Sequence, residues 1–121
     1  MKKQAFADRY PYGIFSCIRT MGHIYKSRGN FDLSAQYYQE ALDYMLKNMP
    51  DQDPSQLYSN LAEYYRNTQK DYATALDYCE KALKSAKTER NIAQAMIEKC
   101  LILFRQGRID EFNDCYKEAY K

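Results

Sequence analysis

The stretch GNFDLSAQYYQEAL, residues 29–42, places a glycine in front of an aromatic residue, two small residues, a tyrosine pair and an Ala-Leu pair. KDYATALDYCEKAL, residues 70–83, follows the same order closely, and GRIDEFNDCYKEAY, residues 107–120, follows it more loosely. A turn residue followed by small and aromatic positions at three- and four-residue steps describes a chain that reverses and then enters an amphipathic helix. The return of this order makes the architecture an internal repeat.

Outward from these stretches, breakers are sparse. Proline occurs at Pro11, Pro50 and Pro54, and glycine at Gly13, Gly22, Gly29 and Gly107. Over residues 12–28 the apolar Ile14, Phe15, Ile18, Met21, Ile24 and Tyr25 recur at helical steps, and Gly29 is placed as a C-cap. A second helix is expected over about residues 31–47, with Phe31, Ala35, Tyr38, Ala41, Leu42 and Met45 on its inner face. PDQDP, residues 50–54, then breaks the chain. Asp53 reads as an N-cap, with Pro54 at the first helical position and Gln56 where a capping-box partner reaches back. That third helix carries Leu57, Tyr58, Leu61, Ala62, Tyr64 and Tyr65 to about residue 68. Asp71 caps a fourth helix through residue 87, a fifth spans about residues 89–105, and a sixth starts at Ile109. No segment alternates with period two, so no strand is expected.

The phasing is informative. Gly22 to Ala62 and Tyr25 to Tyr65 are both 40 residues apart, Ala41 to Ala82 is 41, and Ala82 to Ala119 is 37. These residues resemble the tetratricopeptide repeat, whose large residue, Leu-Gly, Tyr, then Ala, aromatic and Ala recur about every 34 residues. Ile18, Met21, Gly22, Tyr25, Ser34, Tyr38 and Ala41 supply the first copy, and Tyr58, Leu61, Ala62, Tyr65, Ala75, Cys79 and Ala82 the second. Small residues are needed where paired helices cross closely, and tyrosines fill the wider gaps. An ordinary bundle gives apolar stripes but no reason for small residues to recur in phase. The second turn holds one extra residue, Gln69, and in the third copy Phe112 replaces a small residue and Lys99 a leucine.

The resemblance implies an all-α, right-handed α-α superhelix of three antiparallel helix pairs: residues 12–48, 53–87 and a degenerate 89–121. Residues 1–11, with Ala5, Phe6 and Ala7 before Pro11, resemble the end of a preceding repeat or an N-terminal extension, as in a piece of a longer array. Repeats of this length are similar to those of kinesin light chains and bacterial signalling regulators. That suggests the sensory or regulatory part of a larger signalling protein. The tetratricopeptide register also implies a concave groove lined by the first helix of each pair. Its candidate ligand-binding residues are Arg19, His23 and Lys26, then Gln56, Asn60, Glu63 and Asn67, then Gln94, Ile97, Glu98 and Leu101. Some family members clamp the C-terminal carboxylate of heat-shock chaperones with basic and asparagine residues. Arg19 and Asn60 match two clamp positions, but His23 stands in place of an asparagine, Gln94 and Glu98 in place of basic residues, and Glu98 would repel a carboxylate.

Composition narrows the function further. With 45% hydrophobic and 15% aromatic residues in 121, the chain has the material for a packed interior. Eighteen basic against sixteen acidic residues leave a formal charge of +2, too small to favour nucleic acid or an anionic membrane. The longest apolar run, CLILF at residues 100–104, is far below a membrane span. Cys17, Cys79, Cys100 and Cys115 form no C-x-x-C pair, so no zinc site or redox motif is suggested, and three of them fall at apolar or small helical positions, which points to buried reduced thiols and a cytoplasmic setting. His23 is the single histidine, the glycines form no phosphate loop, and Asp51 with Asp53 lacks the glycine and glutamate of a calcium loop. The expectation is a non-enzymatic module with no cofactor or metal that binds a protein or peptide. The alternative is a self-association module, a homodimer through the apolar third repeat, since MIEKCLILF is apolar around most of its helix.

Overall fold

A computed structural model describes residues 11–119, with the expected second helix of a repeat preceding residue 11 lying outside them. Among the described residues there are helices and no strand. They run α1 (Pro11–Ser27), α2 (Phe31–Asn48), α3 (Ser55–Tyr64), a π-helical turn (Tyr65–Gln69), α4 (Tyr72–Ser85), α5 (Glu89–Arg105) and α6 (Ile109–Ala119). The chain divides into two compact units, with the boundary between Gln52 and Asp53.

The first unit is the α1/α2 pair, and its closest approach is built on Gly22. A Cβ there would stand 2.8 Å from two ring carbons of Tyr38 and 3.4 Å from the Ser34 carbonyl, so a larger residue forces the helices apart. The Ser34 hydroxyl donates to the Gly22 carbonyl at 2.7 Å, inside the pair. Phe15, Ala35, Tyr38, Ala41, Leu42 and Met45 are buried. Phe31, expected inside, is 45% exposed. As the first residue of α2 it sits at the turn, where the neighbouring helix gives it least cover.

The second unit packs α3 to α6. Ala62, Ala75, Cys79 and Ile102 form one fully buried cluster, with Tyr65, Tyr72, Leu76 and Tyr78 against it. Ala62 and Ala75 occupy the places of Gly22 and Ser34. Cys100, Leu103 and Cys115 make a second cluster with Leu76, Met96 and Phe112.

One tyrosine pair recurs in both units. Tyr25 stacks on Tyr37 with centroids 5.5 Å apart, and Tyr65 stacks on Tyr78, also at 5.5 Å. Tyr37 thus has a structural partner across the pair. At the corresponding places of the third pair stand Leu103 and Cys115, which share one cluster.

The turns explain the unequal spacings. Gly29 and Gly107 take left-handed φ values of +82° and +76°, and Lys70 takes the same region at +53°. After them the Asn30 and Arg108 amides donate five residues back, to Tyr25 and Leu103, whereas Asp71 donates six back, to Tyr65. The extra residue of the second turn is absorbed as a π-turn within the helix end, not as a longer loop. Spacing from the first to the second copy therefore grows from 40 before this turn to 41 after it.

Caps fix the next helices. Asn30 accepts from the Leu33 amide, Asp71 from that of Thr74 and Thr88 from that of Asn91. At the third helix the boundary differs from expectation, because α3 begins at Ser55 and Pro54 holds the capping position without a side-chain bond. Asp53 stands one residue before the cap and not at it. Its carboxylate accepts from the Ser55 amide at 2.8 Å, the Lys87 amide at 2.8 Å and the Asn91 side chain at 3.1 Å, tying the start of α3 to the α4/α5 connection. Burial alone would raise its pKa, but these amide donors prevail and hold the carboxyl below its ordinary value.

Candidate functional site

The candidate residues lie on α1, α3, α5 and the π-turn after α3, and each unit is built separately. On α1, Arg19, His23 and Lys26 follow at helical steps and share a face. The Arg19 guanidinium sits over the Phe15 ring, 5.3 Å from its centroid. His23 is exposed, with Nδ1 2.7 Å from the Tyr38 hydroxyl and the rings edge-on at 5.3 Å. Partial burial, then the charges of Arg19 and Lys26, lower its pKa below the ordinary histidine value. The neutral imidazole is therefore favoured near pH 7, and its Nδ1 shares one hydrogen bond with the tyrosine hydroxyl, which can donate or accept. His23 is accordingly a helix-pairing residue as well as a surface group.

In the second unit, Gln56 and Asn67 are exposed while Asn60 and Glu63 are half-buried. The Asn60 amide nitrogen is buried and has no hydrogen-bond partner among the described residues. On α5, Gln94 is exposed, Ile97 is 47% exposed and Leu101 is 39% exposed. Glu98 departs from its expected open position. It is only 7% exposed and forms a buried ion pair with Arg66, whose Nε and Nη2 both face the carboxylate. Arg66 Nη1 also donates to the Asn67 side-chain oxygen at 2.8 Å. A carboxylate at this depth needs a cation, and Arg66 from the end of the neighbouring helix supplies it. The repulsion that Glu98 would exert on an anionic ligand is thereby neutralised.

Two features of this surface were missed from sequence. The Arg66 to Glu98 pair joins residues 32 apart, and its only trace is opposite charge on the first helices of adjacent pairs. Lys99, read as an odd occupant of a leucine position, instead bonds Glu80 of α4 at 3.0 Å, an interaction that raises its pKa. The thiols are free, with Cys17 exposed and the other three buried. Burial, with a contribution from Cys115, pushes Cys100 up to about 12, far from the range of a nucleophilic cysteine. Among the described residues there is no cluster with metal-ligand character and no helix long and apolar enough to cross a membrane.

A tetratricopeptide-repeat family model matches residues 14–88, more than half of the chain. The chain belongs to the tetratricopeptide repeat family. Its all-α helix pairs are those of that helical-repeat solenoid class, and the matched segment contains both copies in which the Gly22/Ala62 and stacked-tyrosine positions recur. No curated protein and no solved structure matched the chain. Tetratricopeptide repeats generally serve as scaffolds for protein–protein interaction, and the family is typically non-catalytic.

Proposed function

We propose that this tetratricopeptide chain is a non-catalytic scaffold that captures a protein or peptide segment on its first-helix faces, that of α1 in the first unit and those of α3 and α5 in the second, each taken by itself. The observation that carries the reading is the division of labour within each helix. Gly22, Ala62 and Cys100 are turned into the packing, while Gln56, Asn67, Gln94, Ile97 and Leu101 remain exposed on helices held rigid by it. Polar side chains such as Gln56 and Asn67 supply hydrogen bonds to a bound backbone, and Ile97 with Leu101 supplies apolar contact. The long repeat supports a narrower role, as the regulatory or sensory part of a bacterial signalling protein.

Site-specific cross-linking tests this. A photo-reactive residue at Gln56 or Gln94 in the intact protein, in its source cell, is expected to trap a partner that the same group at Gln36 of α2 or Asp77 of α4 does not. Cross-links confined to Gln36 and Asp77 would remove the first-helix faces from the function. A second reading, self-association through the third pair, is supported by the exposure of Phe104 and Ile109 beside Ile97 and Leu101.

A further inference from the structure

We propose that the open face of α5 docks an amphipathic helix from a protein partner, apolar along one stripe and acidic near both ends. This deepens the scaffold reading and rests on it. Ile97, Leu101 and Phe104 follow at four- and three-residue steps, form one row, and are 47, 39 and 54% exposed. The remaining sides of α5 are occupied. Ile102 is fully buried against Ala62, Ala75 and Cys79; Cys100 and Leu103 pack with Cys115; Glu98 is locked by Arg66. Beyond the first turns, where Ile92 is 42% exposed, the row is therefore the one side of α5 left open, with Phe104 at its edge against Phe112 of α6, ring centroids 5.5 Å apart.

Charge selects the occupant. Arg90, Gln94, Ile97, Leu101 and Arg105 continue a single helical stripe, so an exposed arginine stands at each end of the apolar row. At 1.5 Å per residue the two arginines are about 22 Å apart along the axis. Arg105 complements the C-terminal dipole of α5, but Arg90 lies in the first turn, where the dipole disfavours a cation. Its position is better suited to an acidic partner than to the stability of its own helix. Of the two α5 carboxylates, Glu98 beside the row is cancelled by Arg66, and Glu89 lies off the stripe, about 100° around the helix from Arg90. A helix of about four turns matches this layout, laying apolar residues at positions i, i+4 and i+7 on the row and setting Asp or Glu beside Arg90 and Arg105.

The probe is a labelled 18-residue helical peptide with leucines at i, i+4 and i+7 and glutamates in both end turns, titrated into the full chain. Saturable binding is expected, weakening as salt rises. A version with lysine in place of glutamate is expected to bind at least about tenfold more weakly. Leu101→Asp should abolish binding and Arg90→Glu should reduce it several-fold. Circular dichroism of each variant reports the fold, and Ile97→Gln repeats the test at a second exposed site. The proposal is overturned by absent saturation, by equal binding of both charge versions, or by full binding to Leu101→Asp. It is also overturned if sedimentation shows a dimer that Leu101→Asp dissolves, which would make a second copy the occupant. Cross-linking at Gln56 to a partner of another chemistry would overturn this docking mode while leaving the scaffold reading intact.

Discussion

The two compact units differ in what holds their helices. The first brings α1 against α2 by having almost nothing in the way: Gly22 lies under the Tyr38 ring, and Ser34 bonds the glycine carbonyl. The second uses Ala62 and Ala75 at the equivalent places and adds a third helix of the core, α5, held by the buried Arg66 to Glu98 pair. Small residues thus close the helix pair in both units, and the second adds charge compensation where the next helix joins. The responses to mutation should differ accordingly.

The largest effect is expected in the second unit. Arg66→Ala removes the cation that faces the buried Glu98 carboxylate and should cost about 3–5 kcal/mol in denaturant unfolding, as breaking buried pairs does. The double change Arg66→Met with Glu98→Leu should recover most or all of that loss, because an apolar pair of similar volume carries no desolvation penalty. A double variant as unstable as the single one would mean that packing, not charge, holds α3 to α5.

In the first unit the corresponding probe is Gly22→Val. The added atoms meet Tyr38 at contact distances already too short for a Cβ, and overpacking of this kind typically costs about 1–3 kcal/mol. Hydrogen exchange should show the lost protection first in the α1 and α2 amides. Uniform loss across both units would show that they unfold as one.

These contrasts mark what was legible in the sequence. The helices, their turns and the need for small residues at Gly22 and Ala62 could be read because repeated positions reinforce one another. The extra Gln69 was countable, but its fate was not, since an inserted residue can lengthen a loop or widen a helix end into a π-turn with the same letters. The burial of Glu98 was hidden for another reason. The family register assigns a direction to a position, and only the neighbour 32 residues away determines whether a charge there faces solvent or a guanidinium. Phe31 failed in the opposite sense, as an apolar residue on a helical stripe that lies one turn too early to be covered.

A smaller effect, of opposite sign, is expected at the turn that distinguishes the second unit. Gly29 and Gly107 adopt left-handed backbone freely, whereas Lys70 does so with a side chain. Lys70→Gly should relieve that strain and stabilise by up to about 1 kcal/mol, offset in part by the greater freedom of glycine in the unfolded chain. A measurable loss instead would mean that the lysine side chain contributes contacts worth more than the strain.

The smallest effect separates the first unit by pH. The folded pKa of His23 is lowered, so its contribution is fully present above the unfolded value of 6.5 and declines as pH falls towards the folded value. Protonation charges a partly buried ring, fixes Nδ1 as a donor towards the Tyr38 hydroxyl, and adds a third cation beside Arg19 and Lys26. Between about pH 7 and pH 5, α1 and α2 should lose slightly more protection than the helices after Asp53, once the general effect of pH on amide exchange is removed. Tyr38→Phe removes the hydroxyl but not the neighbouring charges. It should therefore lower the stability of the pair at neutral pH and flatten this dependence only in part, and a complete flattening would assign the whole effect to the hydrogen bond.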